Sequence, residues 1–265
     1  MVRSFYWSFT DYTGFNEPQW VGLSNYAYVL RTKEPLSWIS HNIILGVLYT
    51  TTVTVAGLIL ALILNQELTA RNAFRTIYFL PYVIPSIISA LVWNFLLTPQ
   101  FDPIEAIFQV VGLGELWKPW LAEAHTAFYV AIFVTVWANT GFSMVMYLAA
   151  LQNIPQDLYD AASVDGASGA QRIVKITIPL LRPITLVLII LAVIGSMKIF
   201  GVIWGLTHGI KRPPMEVMAT AIMRVGFSFN KMGRACALAV VLFVIIFVLT
   251  LIQLRVTRSS EAIEY

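Results

Sequence analysis

Five stretches of the chain run with no Asp, Glu, Lys or Arg, or with only one, and their spacing sets the architecture. Four lie between Glu34 and Glu67, Arg75 and Asp102, Glu123 and Asp157, and Arg234 and Arg255; the fifth, Pro183 to Ile210, holds a lone charge at Lys198. A helix needs about 20 mostly apolar residues to cross about 30 Å of hydrocarbon. Trimming each stretch by hydrophobicity places spans near 42–64, 76–97, 127–150, 184–206 and 235–254. Helices satisfy their own backbone hydrogen bonds in lipid, and the short alternating strands of a membrane barrel are missing from the pattern. The sequence therefore predicts an all-α membrane protein, a polytopic bundle of transmembrane helices that makes one domain of residues 1–265.

Composition agrees that lipid is the main solvent. Of 265 residues, 58% are hydrophobic and 12% charged, with a mean hydropathy of +0.75, whereas a soluble domain carries about a quarter charged residues. The net charge is +3, but the 17 basic residues are scattered through the connections. No dense run could follow a phosphate backbone, so nucleic acid is not an expected partner. The lone Cys236 cannot form an intrachain disulfide and reads as a small core residue. No acidic residue falls inside a trimmed span, and His41, His125 and His208 stand at span ends, which argues against a membrane-embedded enzyme or a metal site.

Charge hardly decides the orientation. With the loop 65–75, the connection 151–183 and the tail from Arg255 on the cytoplasmic side, that side holds seven basic residues against nine opposite, over a shorter length. The opening MVRSFYWSFTDYTGF is no secretion signal, because Asp11 interrupts it and no small-residue cleavage site follows. Its rings Phe5, Tyr6, Trp7, Phe9 and Tyr12 suit headgroup depth, as at the tail of a span whose beginning is not in the chain.

The connection Asn153 to Pro183 has the local chemistry of two short helices. Pro155 fits a first helical turn and Asp157 places negative charge near the positive end of the dipole. Leu158, Ala161, Ala162 and Asp165 then fall on one face of small residues with a carboxylate at its end. Gly166 supplies the permissive backbone a helix end needs, and Ser168 can cap a second helix. In that helix Ile173 and Ile176 lie on one side and Arg172 and Lys175 on another, with Pro179 and Pro183 ending it. From the residues alone, a solvated linker and a docking element fit equally well.

The string YDAASVDGASGAQRIVKITIPLLRP resembles the cytoplasmic EAA loop of the inner-membrane permeases of ATP-binding-cassette importers. Asp160, Ala161, Ala162, Asp165, Gly166, Ala167, Ile176 and Pro179 stand at matching positions, with Asp160 in place of the family's Glu. SFTDYTGF with WVGLSNYAYVL, then FRTIYFLPYVIP and MGRACALAVVLFVIIFVLTLIQLRV, are similar, in order, to segments of carbohydrate-type permeases of the maltose-transporter kind. The likeness covers nearly the whole chain. The family has six spans as a rule, so a first span is expected to be missing here. Its Thr-Gly-Gly-Pro after the fifth span stands as Thr207, His208, Gly209 and Ile210.

The resemblance implies a permease subunit that passes a sugar or related solute through the inner membrane of a prokaryote by alternating access. It implies four companions besides the bilayer: a second permease subunit, two cytoplasmic ATPase subunits that carry ATP and Mg, and an extracytoplasmic solute-binding protein. No Gly-x4-Gly-Lys-Ser/Thr loop occurs in the chain, so no catalysis and no cofactor are expected on it. Docking to the ATPases falls to Asp160, Ala161, Ala162, Asp165 and Gly166, with Arg172 and Lys175 second.

Polar groups inside spans are expensive in lipid and face protein or water, which makes Asn94, Asn139, Thr140, Ser143 and Lys198 candidates for the solute path, with Trp93 and Trp137 beside them. Aromatic faces with amide neighbours suit sugars. Each has a plainer role: pairing between helices, anchoring at the interface, or, for Lys198, snorkelling outward. The loop Thr98 to His125, with IEAIFQVVGLG, Trp117 and Trp120, reads as an interfacial segment or as a contact for the binding protein. The basic loop of Lys211, Arg212, Arg224 and Lys231 reads as a solvated face or a second such contact. An ion-coupled secondary transporter stays open, although no internal repeat is visible, as does a permease for a non-sugar solute such as glycerol-3-phosphate.

Overall fold

The computed structural model describes residues 2–66, 69–98 and 103–261. The charges at Glu67 and Asp102, which bound two of the uncharged stretches, lie outside the described residues, as do the side chains of His125 and Arg258. Thirteen helices are described: α1 Val2–Trp7, α2 Ser24–Arg31, α3 Lys33–Leu64, α4 Arg71–Val83, α5 Ser86–Leu96, α6 Pro103–Val110, α7 Ala124–Gln152, α8 Gln156–Val164, α9 Gly169–Leu180, α10 Arg182–Met197, α11 Gly201–Thr207, α12 Met218–Met223 and α13 Met232–Glu261. Among the described residues there is no strand, only an isolated bridge between Thr10 and Trp20 that closes the turn after α1. The all-α polytopic fold is as expected.

Three predicted spans are single helices, α3, α7 and α13, each long and apolar enough to cross a bilayer. Two are not. The predicted span 76–97 is the pair α4 and α5, bent by 100°. The cause is Pro85, which holds itself and the preceding Ile84 in extended backbone, with ψ of 131° and 130°. The predicted span 184–206 is α10 and α11 with Lys198 to Phe200 between them. Pro179 does not end α9 as expected. A π turn at Ile173–Thr177 carries the Ile178 N–H to the Ile173 carbonyl, five residues back, and the helix runs on to Leu180 before a 63° bend into α10.

Small residues decide how closely the helices pack, as is usual in lipid. A Cβ on Gly57 of α3 would lie 2.5 Å from the Ser143 Cβ of α7, and one on Gly141 of α7 would lie 2.1 Å from the Tyr78 carbonyl of α4. Gly201 and Gly205, one turn apart on α11, press on Ser86, Ile87 and Ala90 of α5 in the same way. Outward faces are apolar: no residue of α4 is buried, and Phe243, Val244, Phe247 and Val248 of α13 are all at least 46% exposed. Such faces need lipid or protein around them.

Candidate functional site

The connection between α7 and α10 forms two helices around a left-handed glycine. Pro155 precedes α8, and Gly166 has φ +78° with nothing within 4 Å of where a Cβ would sit. Ser168 and Gln171 form a capping box: the Gln171 N–H donates to Ser168 Oγ and the Ser168 N–H to Gln171 Oε1, at 3.3 and 2.7 Å. No residue of α8 is buried. Asp160, Ala161, Asp165, Gly166 and Lys175 are exposed and Ala162 is half-buried, so the small face is open, with Val164 standing 88% exposed beside it.

The two helices are braced against each other. Tyr159 Oη lies 3.0 Å from Thr177 Oγ1, and Arg172 donates to Ser163 Oγ at 3.0 Å. Arg172, a docking candidate, thus reaches across the angle between α8 and α9 and braces the two helices. A cavity of about 240 Å³ separates this element from the ends of α3 and α7, lined by Leu62, Asn65, Leu151, Tyr159 and Arg172 among others.

Farther into the bundle α3, α4, α7 and α10 enclose a cavity of about 260 Å³, lined by Tyr49, Val53, Tyr82, Asn139, Phe142, Ser143, Leu188, Leu191, Ala192 and Gly195. Asn139 and Ser143, two of the candidates for the solute path, are brought together in its lining. Asn139 gives one amide hydrogen to the Thr135 carbonyl, and Tyr82 stacks on Phe142 with ring centres 4.9 Å apart. Tyr49 and Tyr82 escaped the sequence reading because tyrosines in an apolar stretch pass for interface anchors; their hydroxyls were the available signal.

The other path candidates lie elsewhere. Thr140 donates back to the Val136 carbonyl of its own helix. Trp93 meets Phe133 and Trp137 edge to face, at 5.0 and 5.5 Å, and lines a separate apolar cavity of about 470 Å³ with Leu97, Ile104, Trp120, Tyr129 and Phe133. Asn94 is committed to structure: it donates to the Leu206 carbonyl at 2.9 Å and accepts from His208 Nε2 at 3.0 Å, closing the end of α11. Lys198 is exposed at the α10 break.

Toward the other end of α3, at Asn42, 22 residues and about 33 Å from Leu64 at 1.5 Å per residue, a second set of polar groups is gathered, with Asn42, Glu216 and Arg224 buried. Asn42 donates to the Ser196 and Met197 carbonyls, both at 3.3 Å, and accepts the Met218 N–H at 2.7 Å. His41 Nδ1 donates to the Glu216 carbonyl at 2.8 Å. The Glu216 carboxylate pairs with Arg224, the side chains 1% and 9% exposed. Burial pushes the Glu216 carboxyl above its ordinary range, against the pull of Arg224. Arg224 is thus no part of a solvated basic face, a correction; Lys211 pairs with Glu34 nearer the surface, and Arg212 donates to the Leu121 carbonyl. In the loop that follows α5, Trp120 packs on Phe108 of α6. Among the described residues no cluster of three His, Cys, Asp or Glu could hold a metal.

Residues 53–260 match the family described as the binding-protein-dependent transport system inner membrane component. The chain is 32% identical over 260 residues to the probable starch degradation products transport system permease protein AmyD of Thermoanaerobacterium thermosulfurigenes, covering 98% of this chain and 88% of that one. It is 34% identical over 253 residues to the trehalose/maltose transport system permease protein MalF of Thermococcus litoralis, covering 94% and 83%. Among solved structures it resembles a chain of a bacterial alginate ABC transporter in complex with an alginate pentasaccharide-bound periplasmic protein, with a TM-score of 0.81, 26% identity and coverage of 90% and 83%. With its helices built for lipid and a braced, outstanding two-helix connection, the chain belongs to the family of binding-protein-dependent inner-membrane transport components, the permeases of ABC importers.

Proposed function

We propose that this multi-pass permease carries a sugar or short oligosaccharide inward across a prokaryotic cytoplasmic membrane, paired with a second permease subunit and driven by two cytoplasmic ATPase subunits. The observation that carries the reading is the α8–Gly166–α9 element. It buries no residue of α8, offers small side chains and two carboxylates at Asp160 and Asp165, and is stiffened by its own hydrogen bonds. Such a body can be moved as a unit by a partner that grips it. Its base faces the ends of α3 and α7 across the smaller cavity, and those two helices also wall the Tyr49–Tyr82–Asn139 cavity, so a movement there is placed to reach the solute path through two helices. ATP and Mg belong on the ATPase subunits in this reading.

A sugar as solute is supported by the names of the relatives and by a cavity that sets aromatic rings beside phenol, amide and hydroxyl groups. A solute-binding protein delivering it from outside is supported by the periplasmic protein bound to the alginate transporter. The test is uptake of labelled maltose, trehalose and xylose into proteoliposomes that hold the full complex. Uptake is expected to require hydrolysable ATP and the binding protein and to survive an ionophore. Uptake by this chain alone, or its loss on collapsing an ion gradient, would overturn the reading in favour of a secondary transporter.

A further inference from the structure

The end of α3 remote from α8 holds an ion pair that belongs neither to the solute cavity nor to the docking element. Glu216 and Arg224 are joined side chain to side chain and almost wholly buried. Removing two charges from water costs as much as their attraction returns, so a buried pair does little for stability as such and serves better to fix one arrangement among several.

The neighbours define that arrangement. The Glu216 carbonyl accepts from His41, the N–H of Met218 goes to Asn42, and Asn42 donates to the last carbonyls of α10. One asparagine thereby joins α3, the end of α10 and the 213–223 segment. Immediately beyond Met197 the helix breaks, and α10 itself walls the solute cavity through Leu188, Leu191 and Ala192. Arg224 opens a π turn, Arg224–Ser228, a rare backbone form found frequently at functional sites.

We propose that Glu216 and Arg224 are a positioning pair: locked together, they seat the 213–223 segment on His41 and Asn42 and hold the α10 break, with the cavity wall, in its resting place. The proposal rests on the permease reading. In that reading the resting place limits idle turnover by the ATPases, because a bundle held at one end resists the push delivered at the other.

The test uses the full transporter in nanodiscs, with ATP and Mg but no binding protein. Glu216→Gln is expected to raise this idle ATP hydrolysis at least threefold, and the swapped pair Glu216→Arg with Arg224→Glu to return it to within twofold of the unmodified complex. A merely structural role would lower hydrolysis along with the yield of complex. An assembled Glu216→Gln complex that hydrolyses at the unmodified rate or below, or a swap no better than the single variant, would overturn the proposal. If Glu216→Gln does not assemble, Glu216→Met with Arg224→Met, which leaves no unpaired charge, must show the same rise. Its failure to rise or to assemble equally counts against the pair. An unmodified complex without any ATP hydrolysis would instead defeat the permease reading, a distinguishable result.

Discussion

At one end of α3 the polar side chains are buried and tie three elements together; at the other a two-helix element stands in solvent, held by hydrogen bonds within itself. The physical chemistry of the two ends is opposite. Asn42, Glu216 and Arg224 have lost water and must keep their partners, whereas Asp160, Asp165 and Lys175 keep water and are free to exchange it for another protein. The first end is built to stay, the second to be gripped. Changes at the buried end should therefore cost stability, and changes at the exposed end should cost transport with little loss of stability.

The largest loss is expected from Arg224→Ala, which strands the Glu216 carboxylate without its counter-charge. Unfolding of the detergent-solubilised complex in denaturant should show a cost of about 3–5 kcal/mol, and a cost below about 1 kcal/mol would mean that the pair is not buried as described. Asn42→Ala takes the Asn42 partner from the Met197 carbonyl and the Met218 N–H, while the Ser196 carbonyl keeps a backbone donor, and about 2–3 kcal/mol is expected in the same titration. Gly166→Pro imposes φ near −65° where the chain has +78° and removes the Gly166 N–H bond to the Ser163 carbonyl. The strain is local to an exposed turn, so the bundle should unfold almost as before, while uptake into proteoliposomes falls at least tenfold and ATP hydrolysis continues. Smallest in stability is Asp160→Ala, within about 0.5 kcal/mol, which should nonetheless weaken copurification of the ATPase subunits. A large stability loss there would erase the contrast between the two ends.

The exposed end was the more legible in sequence, because its signals are local. Pro155, Gly166 and Ser168 each fix the backbone within a residue or two, and the capping partner Gln171 lies one turn away. The buried end depends on partners from distant segments: Asn42 and Met218 are joined by the fold alone, Arg224 looked like part of a basic loop, and nothing local singled out Glu216 as its partner. The apolar stretches were legible because missing charge reports the solvent, but the bends inside two of them were not. The Ile84–Pro85 pair that bends α4 against α5 stood in the predicted span as two more apolar residues. The Gly201–Gly205 spacing on α11 was likewise present in the sequence, and its meaning came only with the α5 surface it fits. The cost of polar groups in lipid singled out Asn139, Ser143 and Asn94 alike, but not their different surroundings: the first two line a cavity and the third bonds to a helix end, since a polar group in a span is as well served by either.

Whether the exposed element is what the motor grips can be measured by cross-linking. In a Cys236→Ser background, Ala161→Cys on α8 and Phe243→Cys on the lipid-facing side of α13 are each treated in the full complex with a short thiol cross-linker. Ala161→Cys is expected to join to an ATPase subunit in high yield and to stop uptake reversibly, while Phe243→Cys joins to none and leaves uptake intact. A complex that takes up solute normally with no Ala161→Cys product would contradict the role assigned to α8.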